Sequence, residues 1–198
     1  MNEIMWAFGR ASGIVSLLLF TLVVVLGVVS RSGRPLGALP RFSVALLHRS
    51  TSLIALTFLV LHVGTLMLDP HAKLSLPDAL VPFIAGWNPF WVGLGTVALD
   101  LVIALVVTGL LRRRIGDRVF RAIHWAAYAM WPLAFAHALG SGTNAGDLWF
   151  QLFAWTCAGT VVSAIAWRAS AGFAETAAAR ARHAGSGRVG DPRLRGER

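Results

Sequence analysis

Long uninterrupted apolar segments constrain the fold of this chain more than any other feature of its sequence. A helix that crosses a hydrocarbon core of about 30 Å needs roughly 20 apolar residues. Five segments reach that length and predict an all-α integral membrane protein, a five-helix transmembrane bundle: Trp6–Ser30, Phe42–Leu68, Phe90–Leu111, Val119–Leu139 and Leu148–Trp167. Charged residues make up only 14% of the 198 residues, which leaves no stretch suited to a soluble catalytic domain.

The chain is expected to divide at residue 168. Residues 1–168 form the predicted transmembrane domain, and residues 169–198 form a basic tail rich in Ala, Gly and Arg without an apolar period. Such a tail is predicted to be disordered or to lie on the membrane surface. The first apolar segment is longer than a typical signal-peptide core and follows no basic stretch, so we expect it to remain as a helix.

Basic residues are sorted between alternate loops, and this sorting predicts the orientation of the chain. Arginines lie between segments one and two, between segments three and four, and after segment five, so these regions are expected to be cytoplasmic. The other loops carry acidic residues, with Lys73 as their only basic residue, and are expected to face outward with the N-terminus. The net charge of +9 does not indicate nucleic-acid binding, because the arginines flank membrane segments.

Four of the six histidines lie inside apolar segments, two on each of two segments. Both segments run outward in the predicted topology. His48 therefore shares the cytoplasmic level with His124, and His62 shares the outer level with His137. Spacings of 14 and 13 residues correspond to about 21 and 20 Å of helix, which places the two pairs near the two edges of the hydrocarbon layer.

Paired imidazoles at two depths are typical of axial ligands to two haems. A neutral imidazole nitrogen binds haem iron well, and two of them fill both axial positions, so such a haem carries electrons. The alternative, that each histidine is only hydrogen-bonded to a neighbouring helix, is disfavoured by the matched depths. Cys157 is the only cysteine, so any haem is expected to be non-covalent. His71 and His183 lack such a partner and are expected to be solvent-exposed.

The two histidine spacings place different demands on their helices. Fourteen residues is two heptads and returns His48 and His62 to one face, whereas the thirteen residues between His124 and His137 fall one short. Pro132 lies between the second pair, and proline commonly kinks a helix. We therefore predict that the winding of this segment adjusts at Pro132.

The H-x13-H of His48 and His62 and the H-x12-H of His124 and His137 resemble the ligand spacings of the ferric reductase and NADPH oxidase transmembrane family. Four segments within residues 6–140 are similar to its compact bacterial members: WAFGRASGIVSLLLFTLVVVLG, LHRSTSLIALTFLVLHV, PFWVGLGTVAL and HWAAYAMWPLAFAHAL. The resemblance implies two non-covalent haem b groups stacked between helices two and four, with electrons moving outward. It also implies a bacterial cytoplasmic membrane, in which the charge pattern predicts the N-terminus outside and the C-terminus inside.

Two departures from the family pattern bear on the expected function. Typical members have six helices, of which this chain lacks the first, and oxidase and reductase members carry a cytoplasmic flavin and nicotinamide domain that is absent here. The chain is therefore expected to be the haem-containing subunit of an oxidoreductase. Its partners would be membrane lipid, a separate electron donor such as a flavin reductase or quinol, and an acceptor protein on the outer face.

The leading hypothesis is transmembrane electron transfer from a cytoplasmic flavin or quinol donor to ferric iron, oxygen or a partner flavoprotein or reductase outside. The family includes partner subunits of methionine sulfoxide reductases, so a partner-dependent role ranks slightly above free-standing ferric reduction. One alternative is a dihaem cytochrome b that oxidises quinol or superoxide. A non-redox alternative is a metal-transporting or structural membrane subunit.

Arginines near the paired histidines are candidates for binding haem propionates. Arg10 lies near the outer level of segment one, where an unpaired cation is costly. It is predicted to bind an outer-haem propionate, as a matching arginine does in the oxidase family, with snorkelling to the head groups as an equal alternative. Arg49 and Arg121 are candidates at the inner haem, although the charge bias of cytoplasmic loops also explains them.

Other residues in the apolar segments have structural explanations beside functional ones. Asp100, deep in segment three, is a candidate for a proton path or a buried hydrogen-bonded acid. Aromatic residues expected between or around the haems are Trp125, Trp131 and Phe135. Tryptophans expected in an interfacial belt are Trp87, Trp91 and Trp149. Glycines expected at close helix contacts are Gly93, Gly95, Gly109 and Gly159.

Overall fold

The computed structural model describes residues 2–32, 41–70, 72, 74–170 and 173. These residues form seven helices and no strand, which confirms the all-α prediction for the described part of the chain. The helices are α1 (Asn2–Ser32), α2 (Arg41–Leu68), α3 (Leu76–Leu80), α4 (Pro89–Leu110), α5 (Arg112–His124), α6 (Ala127–Ser141) and α7 (Leu148–Ala169).

Four of the described helices are long and apolar enough to cross a membrane, and they correspond to predicted segments one, two, three and five. The qualifying stretches are Ile4–Ser32, Phe42–Leu68, Pro89–Leu110 and Leu148–Ala169. Their number and length support a multi-pass membrane protein. The predicted fourth segment is not one continuous helix, because α5 and α6 are separated at Trp125 and Ala126.

The break between α5 and α6 follows His124 directly and is a stretch of tighter turns. The backbone N–H groups of Ala126, Tyr128 and Ala129 each donate to the carbonyl three residues earlier, over 2.9, 3.0 and 3.0 Å. Such a turn advances the chain by about 120° per residue, against about 100° in an α-helix. Thirteen residues of α-helix, the spacing from His124 to His137, fall short of four full turns. Because the tighter turns add rotation per residue, they bring His124 closer to the helix face that carries His137.

The prediction that the winding changes at Pro132 named the wrong position. α6 is helical across residues 131–133, and the irregular turns lie at residues 125–129. Proline has no N–H to offer the carbonyl of Tyr128, and its ring crowds that carbonyl. The disturbance from Pro132 therefore falls on the turn before it.

α5 is itself bent at Gly116, whose φ of 78° and ψ of 160° are non-helical. Glycine adopts a positive φ without the steric cost that a side chain imposes. Across this bend the Arg112 Nε donates to Asp117 Oδ1 over 2.9 Å. The bend changes the direction of the chain between the arginines that begin α5, residues 112–114, and the part of α5 that ends at His124.

The helices pack in two pairs, α1 along α2 and α4 along α6, with α1 also contacting α6 and α7. Within the residues that the structure describes, α2 makes no extensive backbone contact with α5 or α6. At mid-height the buried Trp131 donates from Nε1 to Thr21 Oγ1 over 3.0 Å and so ties α6 to α1. The buried core around this bond is Leu17, Phe20, Val24, Ala55, Ala98, Val102, Met130, Trp131, Cys157 and Val161.

The short helix α3 was not predicted, and it holds the loop before α4 against the end of α4. Ser75 and Asp78 form a reciprocal capping box at its start. Hydrogen bonds from the Ser75 hydroxyl and backbone N–H lower the pKa of the Asp78 carboxyl. The Thr96 hydroxyl of α4 donates to the Asp78 carbonyl of α3 over 2.9 Å, and this bond holds α3 against α4.

Candidate functional site

Two pairs of histidines face each other across the space between α2 and the α5–α6 segment. The ring centroids of His48 and His124 lie 6.5 Å apart with an interplanar angle of 77°. Those of His62 and His137 lie 6.4 Å apart at 74°. The structure thus brings together the same residues that were paired by depth from the sequence, at nearly identical separations. Among the described residues no group of three or more His, Cys, Asp or Glu is arranged to hold a metal ion.

Three of these rings are oriented by a hydrogen bond from Nδ1 to a backbone carbonyl. The bonds join His48 to Val23 over 3.0 Å, His62 to Gly9 over 2.7 Å, and His137 to Trp91 over 2.9 Å. A carbonyl oxygen only accepts, so Nδ1 carries the proton and the Nε2 lone pair stays free. This arrangement around a histidine is common where Nε2 binds a metal.

The same three rings lie against glycines, each located four residues after the residue whose carbonyl accepts. A Cβ at these glycines would lie 2.8 Å from His62 for Gly13, 3.3 Å from His48 for Gly27 and 2.6 Å from His137 for Gly95. We call each combination of an accepting carbonyl and the glycine four residues later a histidine seat. Sequence reasoning missed Gly13 and Gly27, although their spacing of 14 residues equals that of His48 and His62.

The prediction that four glycines mark close helix contacts was correct only in part. Gly95 packs against His137, and a Cβ at Gly93 would lie 2.2 Å from the Phe83 ring. A Cβ at Gly109 or Gly159 would meet nothing within 4 Å. These last two glycines therefore do not mark a close contact in this structure.

His124 is held differently from the other three histidines. Its side chain is exposed, and its ring stacks on Phe120 with centroids 5.1 Å apart and an interplanar angle of 27°. No hydrogen bond to the His124 ring occurs within the described ranges. The guanidinium of Arg112 lies 4.9 Å from the centre of the same Phe120 ring.

A cavity of about 360 Å³ lies at the level of the outer histidine pair. His62 and His137 line it, and it continues to the buried side chains of Leu17, Val102 and Met130. Residues of the loop before α4, including Leu74 and Trp87, also line it. The outer pair is therefore enclosed by more of the protein than the inner pair, where His124 is exposed.

Arg10 lines this cavity with a half-buried side chain. Its guanidinium lies 4.2 Å from the centre of the Trp6 ring, and its NH2 group donates to Asn144 Oδ1. Asn144 in turn donates to Asp147. The Arg10 Nε is buried and makes no hydrogen bond to the described residues. One donor of Arg10 thus remains available beside the outer histidines.

At the inner level, three arginines that were not among the predicted candidates act electrostatically on His124. They are Arg31, Arg112 and Arg168. The predicted candidates Arg49 and Arg121 have exposed side chains. Sequence reasoning missed Arg168 because α7, which carries it, reaches this site only through tertiary packing.

Arg168 contacts the break between α5 and α6. Its guanidinium lies 4.6 Å from the centre of the Trp125 ring and donates to the Tyr128 hydroxyl. Trp125 is exposed, whereas Trp131 is buried in the core and stacks on Phe135 with centroids 5.3 Å apart. Of the three aromatic residues expected around the haems, only Trp131 is fully buried, and Phe135 is half-buried against it.

Several other predicted residues are found in varied surroundings. Trp87 and Trp149 are exposed, but Trp91 packs against Gly140, where a Cβ would lie 1.9 Å from its ring. Asp100 is half-buried and has no hydrogen-bond or ion-pair partner in the described part of the chain. Two of the predicted histidines, His71 and His183, lie outside the described residues. So does the predicted tail 169–198, apart from Ala169, Ser170 and Phe173.

A family model described as the ferric reductase like transmembrane component matches residues 12–135. The chain belongs to this family. The match includes His48, His62 and His124 and ends two residues before His137. It confirms the family resemblance seen in the histidine spacings, and membership indicates a role in membrane electron transfer. Neither a curated protein nor a solved structure matches the sequence.

Proposed function

We propose that this chain transfers electrons across a membrane through two non-covalent b-type haems, each bound between two histidines. His48 and His124 hold the inner haem, and His62 and His137 hold the outer one. Haem would supply an iron that gains and loses one electron reversibly, and a haem held by two imidazoles would carry electrons rather than bind oxygen. The observation that carries the proposal is the pair of facing imidazoles repeated at two levels with the same separation.

The size of the gap between the rings suits a metal ion bound to both. Two metal–imidazole bonds of about 2 Å each, with the half-width of each ring added, span roughly 6 Å. The ring centroids are 6.5 and 6.4 Å apart. The Nδ1 bonds of His48, His62 and His137 favour the tautomer in which the Nε2 lone pair is free to bind a metal.

Arg10 is proposed to bind a propionate of the outer haem. Its buried Nε lacks a partner among the described side chains, and it lines the same cavity as His62 and His137. The Trp6 ring and Asn144 hold the guanidinium in place. For the inner haem, Arg31, Arg112 and Arg168 lie near His124 and are better supported than Arg49 and Arg121.

The charge pattern supports a cytoplasmic location for the end of the bundle that carries His124, and the donor is proposed to act there and the acceptor at the end that carries Arg10. The proposed location is a bacterial cytoplasmic membrane, with the N-terminus outside. The donor is a flavin or quinol, and the acceptor is ferric iron, oxygen or a partner protein. The enclosed outer level and the exposed His124 fit a donor that approaches the inner haem directly.

The proposal is tested by a reduced-minus-oxidised absorption spectrum of the purified protein, with haem quantified per chain. We expect two b-type haems. His62→Ala and His137→Ala should each lose the same haem, and His48→Ala and His124→Ala should each lose the other. His183→Ala is the control and should keep both.

Two outcomes would contradict the proposal. Colourless protein would favour the metal-transporting or structural alternative. Haem that survives alanine at all four positions would show that other residues bind it.

Reduction of intact protein by quinol and not by reduced flavin would identify quinol as the donor class, and the reverse result would identify the flavin.

A further inference from the structure

We propose that the Leu105 carbonyl and Gly109 form a fourth histidine seat on α4, which positions His124 when the inner haem is bound. This inference rests on the proposed haem function. Gly109 acts here as a positioning residue, because its missing side chain makes room for the His124 ring.

The first support is the repeat of the seats along α1. Gly9 and Gly13 hold His62, and fourteen residues later Val23 and Gly27 hold His48. Fourteen residues is close to four helical turns, so both seats lie on the face of α1 that is turned toward α2. α1 thus orients one histidine at each level, His48 and His62.

α4 carries the start of the same repeat. Trp91 and Gly95 hold His137, and fourteen residues later come Leu105 and Gly109. Trp91 and Gly95 place this face of α4 against His137 of α6, and α5, which ends at His124, also contacts α4. A Cβ at Gly109 would meet no atom within 4 Å, so there is room for a ring.

The Leu105 carbonyl remains able to accept a further hydrogen bond. The Thr108 hydroxyl donates to the Ala104 carbonyl over 2.6 Å and more weakly to the Leu105 carbonyl over 3.3 Å, and its single proton can be given to Ala104 alone. A carbonyl oxygen has two lone pairs. Nδ1 of His124 can therefore donate to Leu105 as Nδ1 of His137 donates to Trp91.

His124 is the histidine that lacks a seat in this structure. Its ring is exposed and contacts Phe120, and no bond to its Nδ1 is found in the described ranges. Gly95 of α4 lies opposite His137, and the two helices run antiparallel. Gly109 comes fourteen residues after Gly95, and Ile123 comes fourteen residues before His137. Ile123, one position before His124, is therefore the residue expected opposite Gly109. The tight turns after His124 rotate it in the direction that this one-residue difference requires.

The test compares Gly109→Leu with Gly159→Leu in the full-length purified protein. Both glycines face open space in the structure, so the two variants differ only if the room at Gly109 is used. We expect Gly109→Leu to fall from two haems per chain to one and to lose the haem that His124→Ala loses. Gly159→Leu should keep two.

A smaller variant separates positioning from general damage to the fold. Gly109→Ala should keep two haems but shift the low-spin electron paramagnetic resonance signal of the inner haem alone, as Gly27→Ala should. Gly13→Ala should instead affect the outer haem. If Gly109→Leu loses both haems, the Gly109→Ala spectrum decides, with a shifted inner signal supporting the seat and an unchanged one overturning it.

The outcomes distinguish this inference from the function on which it rests. Two haems with unchanged spectra in both Gly109 variants would overturn the seat and leave the haem function intact. A wild-type chain that binds no haem would overturn both.

Discussion

At the scale of single residues, the missing side chains of glycines decide where the histidine rings lie. Gly13, Gly27 and Gly95 each allow an imidazole to approach a helix backbone and donate Nδ1 to its carbonyl. That carbonyl already accepts a helical hydrogen bond, and its second lone pair is used by the histidine. Orientation of the ring and choice of tautomer therefore come from one short helical motif.

Replacing Gly13 by Ala should displace the His62 ring, because the new Cβ would lie 2.8 Å from Cε1 of that ring. Overpacking of this kind costs about 1–3 kcal/mol of unfolding free energy. We expect loss of the outer haem and a lower unfolding temperature in detergent, measured by haem content and thermal scanning. Gly64→Ala, where a Cβ meets nothing within 4 Å, is the control and should be neutral or slightly stabilising. An unaltered outer haem in Gly13→Ala would contradict the assignment.

Arg10→Leu removes the positive charge beside the outer histidine pair. A nearby cation favours the reduced, less positive haem, so its loss should lower the midpoint potential of the outer haem and leave the inner one unchanged. Arg10→Lys keeps the charge and should shift the potential less. Redox titration of the two haems measures both effects. Identical outer potentials in Arg10→Leu and the wild type would favour snorkelling to the head groups.

At the scale of helices, the segment that carries His124 and His137 is the irregular element. The tight turns at residues 125–129 alter the winding between the two histidines, and Arg168 of α7 contacts this break through Trp125 and Tyr128. Above the break, the bond from Trp131 to Thr21 fixes α6 on α1. The position of both histidines therefore depends on contacts that α6 makes with helices far away in sequence.

Thr21→Val should loosen the contact between α1 and α6. The substitution leaves the buried Trp131 Nε1 without its acceptor, which costs about 1–3 kcal/mol. Thr57→Val removes a hydroxyl of the same kind from an exposed site on α2 and should change stability little. Thermal unfolding in detergent compares the two. Equal stabilities would show that the bond to Thr21 contributes nothing.

At the scale of the whole molecule, long apolar helices position two histidine pairs at two heights of one bundle. Four of the helices are long enough to span, and α5 with α6 completes the path between the levels. The basic residues collect near the end with His124, and the cavity lies near the other end. This polarity is what the orientation proposal requires.

The proposed orientation is tested by labelling single cysteines in a Cys157→Ser background. Thr143 and Arg113 have exposed side chains at opposite ends of the bundle. A membrane-impermeant maleimide added to intact cells should label Thr143→Cys, and Arg113→Cys should react only after the cells are opened. The reverse pattern would place the N-terminus inside and invert the proposed direction of electron flow.

The apolar segments and the histidine spacings were enough to predict the membrane class, the family and the residues that face each other. These features are local in sequence, since hydropathy accumulates along a segment and helical rise converts spacing into depth. The division of the fourth segment at Trp125 and Ala126 was not predictable in this way, and neither was the electrostatic influence of Arg168 on His124.

The sequence by itself therefore determined at which depth each histidine lies, because depth depends only on position within an apolar helix. Tertiary structure alone decided how each ring is turned and what holds it. Those properties depend on which glycine and which carbonyl of a neighbouring helix lie opposite, and that register is fixed by packing between residues far apart in the chain.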